Sequence, residues 1–287
     1  MRGVLLGTAA LLAVSIATPA ARLAPPRQAA PSATPAAAAP AQNQTALTDE
    51  QIEHFLKEAK VVKTKGIGKG VTGSTRATLT DGVITHDAQI QQIEEKKAQF
   101  DAPGAQEFNF EDSWRFNVAA YRVNKMIGLD MVPVSISRPW QSKPSAFTWW
   151  IDDVMMDEGK RLKDKTQPPD TAVWNEQMQL VRVFDQLIYN VDRNVGNLLI
   201  CKNWKVWAID HTRAFRTQSS LKSAAQITRC DRTVLEGLKT LDKPSLKAQI
   251  GEFVTDYQIN GLLARRDKIV EILEKGGPAA LFTRKAN

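Results

Sequence analysis

Apolar positions along this chain run at helical spacing, then at strand-like spacing, then at helical spacing again. Thr48 and Gln51 form a capping-box pattern, and Ile52, Phe55, Leu56 and Ala59 behind them share one face, which predicts a short amphipathic helix. Residues 66–79 carry glycines at 66, 68, 70 and 73 and lead to Asp81-Gly82, a strong hairpin turn signal. With residues 83–93 they predict three strands, the first two joined by a glycine-rich tip. Asp112 is placed to cap a helix over 113–127, with Phe116, Ala119, Ala120, Val123 and Ile127 facing inward and Gly128 ending it. Residues 131–136 and 146–154 read as further strands, and the acidic run 152–158 reads as a hinge.

From Thr171 the character changes. A helix over 174–189 has Met178, Val181, Phe184, Leu187 and Ile188 on its apolar side and runs into the polar stretch from Asn190 to Asn197. Leu198-Leu199-Ile200 predicts a strand, Asn203 a turn, and 205–209 a second strand that delivers Asp210. Residues 211–218 are polar and irregular, and helical patterns fill 231–239, 243–257 and 258–275. The expectation is an α+β chain: a β-rich lobe with one main helix over 48–154, then a mostly helical lobe over 155–287, without internal repeats.

The N-terminus stands apart. Arg2, an apolar run over 4–16 and small residues up to Ala21 make residues 1–21 an expected signal peptide. The run is too short for an ordinary membrane span, with an uncleaved tether as the alternative. Residues 22–47, rich in Ala and Pro, read as a disordered linker. An exported protein, periplasmic or secreted, follows as the expected location. The net charge of +7 falls to +4 once Arg2, Arg22 and Arg27 are set aside, because residues 1–48 contain no acids. The remaining cations are interspersed with acids, which argues against a nucleic-acid footprint and suits small anionic substrates. Cys201 and Cys230 form no C-x-x-C and are left as either one disulfide or two buried thiols. His54, His86 and His211 lack zinc-hydrolase spacing.

The candidate chemistry lies in Asp192-Arg193-Asn194-Val195-Gly196-Asn197 and, thirteen residues on, Asp210. The spacing D-x-x-x-x-N recurs at Asp112/Asn117 and Asp185/Asn190, both read as helical and structural. Only Asp192 sits in the series helix, loop, strand, turn, strand, acid. These residues resemble the D-R-x-x-x-N loop of phosphatidylinositol 3- and 4-kinases. The run from Ile209 to Phe215 resembles their I-D-x-G-x-x-F segment, and the run from Tyr121 to Pro133 is similar to a join in bacterial HipA-like kinases.

The chain is thereby identified as an atypical member of the protein-kinase-like superfamily, two-lobed, over roughly residues 60–275. The resemblance implies Asp192 as catalytic base with Arg193 beside it, and Asn197 and Asp210 as ligands of Mg or Mn. It implies ATP under the hairpin of Gly68, Lys69, Gly70 and Gly73, with Arg76 on the second strand reaching phosphate or lying in solvent. Arg193 has an alternative role as a lock on the loop, and His211 is expected to support it. Three departures stand out. Ala88-Gln89-Ile90-Gln91 lacks the strand lysine, Phe116-Asn117-Val118 lacks the helix glutamate, and Thr212 replaces a glycine.

Two readings follow. One is a kinase, expected as a monomer, that transfers a phosphoryl group from ATP to a hydroxyl of a protein, lipid or small molecule. The other is a pseudokinase that binds a nucleotide or partner without turnover. A third and blander reading makes the three polar residues ordinary loop caps.

Overall fold

The computed structural model describes residues 47–67, 73–102 and 105–284, all within a unit that starts at Ala46. The expected signal peptide and nearly all of the expected linker lie outside them. Helix α1 (Asp49–Glu58) begins as its sequence predicts. Thr48 Oγ1 accepts from the Gln51 amide at 3.3 Å, and the Gln51 side chain accepts from the Thr48 amide at 2.9 Å. Strands β1 (Lys60–Gly66), β2 (Thr75–Thr80) and β3 (Thr85–Gln91) form an antiparallel meander. At the β2–β3 turn the Asp81 carboxylate accepts from the Val83 and Ile84 amides at 2.8 and 2.7 Å. Gly82 there has φ +93°, a backbone conformation that glycine adopts without a Cβ clash.

Strands β4 (Glu94–Ala102) and β5 (Ala105–Ser113) form a separate antiparallel ribbon that the sequence pattern does not reveal. Residues 94–99 are all exposed, so no apolar alternation marks the strand. The ribbon also corrects the start of the next helix. Helix α2 is Arg115–Met126, its N-cap is Trp114, and Asp112 lies in β5 rather than capping. Two hydrogen bonds hold this segment extended: Ser113 donates to Thr212 O at 2.9 Å, and Trp114 donates to Ile93 O at 2.8 Å. The inward face of α2 is the predicted one, and Gly128 (φ +63°) follows its end.

Strands β6 (Ser135–Ser137) and β7 (Ala146–Trp149) complete a five-stranded sheet in the order β1-β2-β3-β7-β6. Residues 131–134, expected as strand, form a buried loop instead. Asn124 Oδ1 accepts the Met131 and Val132 amides at 2.9 and 3.1 Å, so these groups need no ladder partner. The acidic run expected as a hinge enters β8 (Val154–Asp157) and begins α3 (Glu158–Asp164). Helix α4 (Thr171–Leu187) leads to β9 (Leu198–Cys201) and β10 (Val206–Ala208), which pair with β8 in the order β10-β9-β8.

The remainder is helical. Strand β11 (Cys230–Asp231) precedes α5 (Arg232–Thr240), α6 (Lys243–Ile250) and α7 (Asp256–Lys275), and β12 (Leu281–Phe282) returns parallel to β11. A capping box at Thr255 separates α6 from α7. Arg265 of α7, fully buried, donates to Leu187 O at 2.9 Å and to Arg216 O at 3.0 Å, fastening the end of α4. Burial pushes its guanidinium down to about 10. Cys201 and Cys230 are both buried free thiols, and burial pushes Cys230 up to about 12. Among the described residues no helix is long and apolar enough to cross a membrane. One hydrophobic core runs from α1 and the large sheet through α2 and α4 to α7.

Helix α5 approaches the end of α2 at Gly237, where an added Cβ would stand 2.6 Å from Ile127 Cα. The expected outcome for Gly237→Ala is a loss of about 1–3 kcal/mol, read from the midpoint of urea unfolding.

Candidate active site

The site is built where α4 ends and the chain must turn back before β9. Tyr189 takes φ +50°, the Asn190 amide donates to Asp185 O at 2.9 Å, and the Asn190 side chain accepts from the Asp192 amide at 3.0 Å. Asn194 caps the single turn Val195–Asn197 by accepting from the Gly196 amide at 2.9 Å. Asn and Asp supply these bonds because their short side chains reach backbone two residues away.

Arg193 fixes this loop in space. Its Nε donates to Asp185 Oδ2 at 2.9 Å and one Nη to Asp185 Oδ1 at 3.1 Å. The other Nη donates to Asn197 O at 3.1 Å and Ile209 O at 2.7 Å, and the last N–H reaches His211 Nε2 at 2.9 Å. All five donors of the guanidinium are thereby used within the protein. Arg193, expected among the catalytic residues, is a positioning residue here, because no donor is left for a phosphate. It joins the end of β10 to the loop, and Asp185/Asn190, the second spacing match, forms its anchor through a 3.1 Å bond.

His211 is 1% exposed and accepts from Arg193, so it is the neutral tautomer with the proton on Nδ1. Burial first, and the Arg193 charge second, hold its pKa well below the ordinary value. Its amide donates to Asn117 Oδ1 at 2.8 Å, and Asn117 Nδ2 donates to Gln91 Oε1 at 2.6 Å. Strand β3 and helix α2 are thus joined by two neutral amides at positions where the kinase pattern calls for lysine and glutamate.

The segments that carry Asp192, Asn197 and Asp210 are neighbours. The Ile209 amide, one residue before Asp210, donates to Asn197 O at 3.0 Å. The negative charge of Asp192 is felt at Asp210, whose pKa burial raises most of all. The Asp192 side chain is half exposed, and Arg213 Nη1 stands 3.8 Å from it. Asp210 has φ +54°, a left-handed conformation that Asp tolerates better than most residues. Thr212, at the expected glycine, is used for its hydroxyl, which donates to Asp210 Oδ1 at 3.1 Å.

Three further groups, Asp112, Glu107 and Lys222, stand here that the sequence pattern misplaces or omits. Asp112 is buried, its Oδ1 has no hydrogen-bond partner, and its pKa is raised by burial and by Asp210. Its D-x-x-x-x-N spacing with Asn117 was the available signal, read as structural. The β4–β5 ribbon brings Glu107 to Arg213 and to Arg216, the latter at 2.5 Å, over the segment after Asp210. Lys222 donates to Asn190 O at 2.8 Å, and burial lowers its pKa.

Of the expected phosphate-binding residues, Gly68, Lys69 and Gly70 lie outside the described residues. Gly73 (φ +61°) stands at the base of the tip, where the Ile67 amide donates to Ser74 O at 3.0 Å. Arg76 is turned to Asp87, 2.5 Å away, and stacks 4.2 Å from the Trp150 ring centroid. Among the described residues no three of His, Cys, Asp and Glu gather to hold a metal ion by themselves. An ion at Asn197 and Asp210 would therefore take oxygens from a nucleotide as well. The unpartnered Asp112 oxygen beside Asp210 fits a cation missing from the charge balance.

Arg193→Leu strands the Asp185 carboxylate, 12% exposed, inside the protein. The expected loss is about 3–5 kcal/mol, measured by chemical unfolding. Because His211 is neutral when folded and takes a proton near pH 6.5 when unfolded, the unfolded state binds more protons below that pH. Its contribution to stability is present above about pH 6.5 and is lost as pH falls further. Melting temperatures of His211→Gln should fall less than those of the unaltered protein over that range.

No protein-family model matches the chain, and no curated protein matches it. Solved structures do. A hydra Fam20 structure with sugar superposes with a TM-score of 0.61 at 12% identity, covering 82% of this chain and 92% of that one. The Golgi casein kinase gives 0.54 at 12% identity over 81% and 77%, and its Mn/ADP-bound form gives 0.52 at 11% over 82% and 78%. The chain has a mixed α/β fold of the kinase-like type, β-rich in its N-terminal part and helical in its C-terminal part.

Proposed function

We propose that this protein is an atypical kinase that moves the terminal phosphoryl group of ATP to a hydroxyl of a protein, lipid or small-molecule acceptor. The observation that carries the reading is the backbone bond that sets the loop of Asp192 and Asn197 beside the segment of Asp210, within a fold shared with the Golgi casein kinase. That neighbour has been solved with Mn and ADP, which supports a nucleotide and a divalent cation as the ligands.

Asp192 is the base. Its half-exposed carboxylate is open to an acceptor hydroxyl and takes the proton as the oxygen attacks phosphorus. Asn197 and Asp210 hold the cation, Mg or Mn, which when bound offsets charge on the phosphates. Arg193 keeps base and ligands in register, and Arg213 and Lys222 add positive charge beside Asp192. The glycine-rich stretch with Lys69 is assigned to the nucleotide phosphates. The protein works as a monomer outside the cytoplasm, exported by residues 1–21, in the periplasm or secreted. The mature N-terminus, sequenced from fractionated cells, checks that placement; an intact residue 1 in the cytoplasmic fraction counts against it.

A second reading is a pseudokinase, favoured by one observation. The Gln91–Asn117 pair carries no charge to grip phosphate where kinases place an ion pair.

Thermal melts with ATP and Mg or Mn separate these readings from the bland one. A metal-dependent rise lost in Asp210→Ala is expected, and no rise with any nucleotide would sink both. Phosphate transfer from labelled ATP then separates enzyme from binder. Asp192→Ala should reduce it about 10²–10⁴-fold while nucleotide binding persists.

A further inference from the structure

We propose that Asp112 is a further ligand of the divalent cation assigned to Asn197 and Asp210, so that two carboxylates and one amide from three separate segments share the ion. The inference rests on the nucleotide-binding reading above and deepens it. Asp112 lies near the end of β5 and is 8% exposed. A buried carboxylate ordinarily satisfies both oxygens, yet Asp112 Oδ1 has no hydrogen-bond partner among the described residues. Thr212 brings it to the site. The Thr212 hydroxyl donates to Asp210 Oδ1 at 3.1 Å and lies close enough to Asp112 to lower its pKa, and the Thr212 carbonyl accepts from the Ser113 amide at 2.9 Å. The strand carrying Asp112 is thus bonded directly to the segment carrying Asp210.

Among the described residues no cation forms an ion pair with Asp112 or Asp210. Arg213 is close enough for its charge to be felt at Asp112, but it bonds Glu107 and lies 5.0 Å from the Phe110 ring centroid. Two carboxylates held together with one oxygen unpartnered form half of a hard-cation site. Asn197, assigned to the ion above, adds an amide oxygen, and nucleotide oxygens complete the shell. The Asp112/Asn117 match then acquires a role for both its ends. Asn117 holds the His211 amide while Asp112 faces the ion. A water on Asp112 Oδ1 is the competing account, and it predicts no effect on metal affinity.

The test is Mn²⁺ binding to the full chain, followed by the electron paramagnetic resonance of free Mn²⁺ with and without ADP. The variants are Asp112→Asn, Asp112→Ser and Asp210→Asn. Both Asp112 variants should bind Mn-ADP about tenfold more weakly or worse. Their metal-free melting temperatures should equal or exceed that of the parent, because an uncompensated buried charge has gone. If Asp210→Asn loses Mn-ADP and the Asp112 variants keep parental affinity, this proposal fails while the nucleotide reading stands. Failure of both Asp112 variants to fold makes the residue structural and overturns the proposal. Absence of Mn-ADP binding in the parent removes the reading and the proposal together.

Discussion

The Arg193 guanidinium is the constraint on which the site depends. A planar group with five fixed donors meets the Asp185 carboxylate, two backbone carbonyls and one imidazole nitrogen at once. Those partners lie on α4, on the loop itself and on the segment leaving β10, three pieces of chain that no ladder joins. Because the carboxylate and imidazole are largely buried, the network excludes water and tolerates little displacement of any member. It keeps Asp192 exposed at the surface of a loop whose backbone cannot drift. Arg265 reinforces the same region from below by bonding the carbonyl of Leu187.

At Asn117 the N-terminal part meets this frame through neutral contacts. Asn117 of α2 links Gln91 of β3 to the amide of His211. An ion pair at this place would itself present charge to a phosphate, whereas two amides hold geometry only. Positive charge for an anionic ligand must then come from other groups, and Arg213 and Lys222 stand beside Asp192. The β4–β5 ribbon adds Glu107, which bonds both Arg213 and Arg216 and covers the segment after Asp210. Acidic and basic groups therefore alternate around Asp192, and the balance between them sets the local potential.

Much of the fold was legible because each element carries a local signature. The Thr48–Gln51 capping box, the Asp81-Gly82 turn, the apolar stripe of α4 and the strand–turn–strand leading to Asp210 all appear as expected. The ribbon was illegible because both of its faces are largely solvated, and its presence moved Asp112 from a helix cap into a strand. For Arg193 the sequence left open a place beside the base or a lock on the loop, because it shows a neighbour of the base but not the direction of its side chain.

The sequence by itself determined the order of elements and the spacing that sets Asp192, Asn197 and Asp210 around two short strands, since turns and periodicity act within a few residues. Only the tertiary structure decided which side chains are spent and which are free. Asp185, eight residues before Arg193, consumes its charge, and Thr212, one hundred positions after Asp112, reaches its carboxylate. Such partners are chosen by packing between distant segments, and hydrogen bonding in a buried site leaves no periodic trace along the chain.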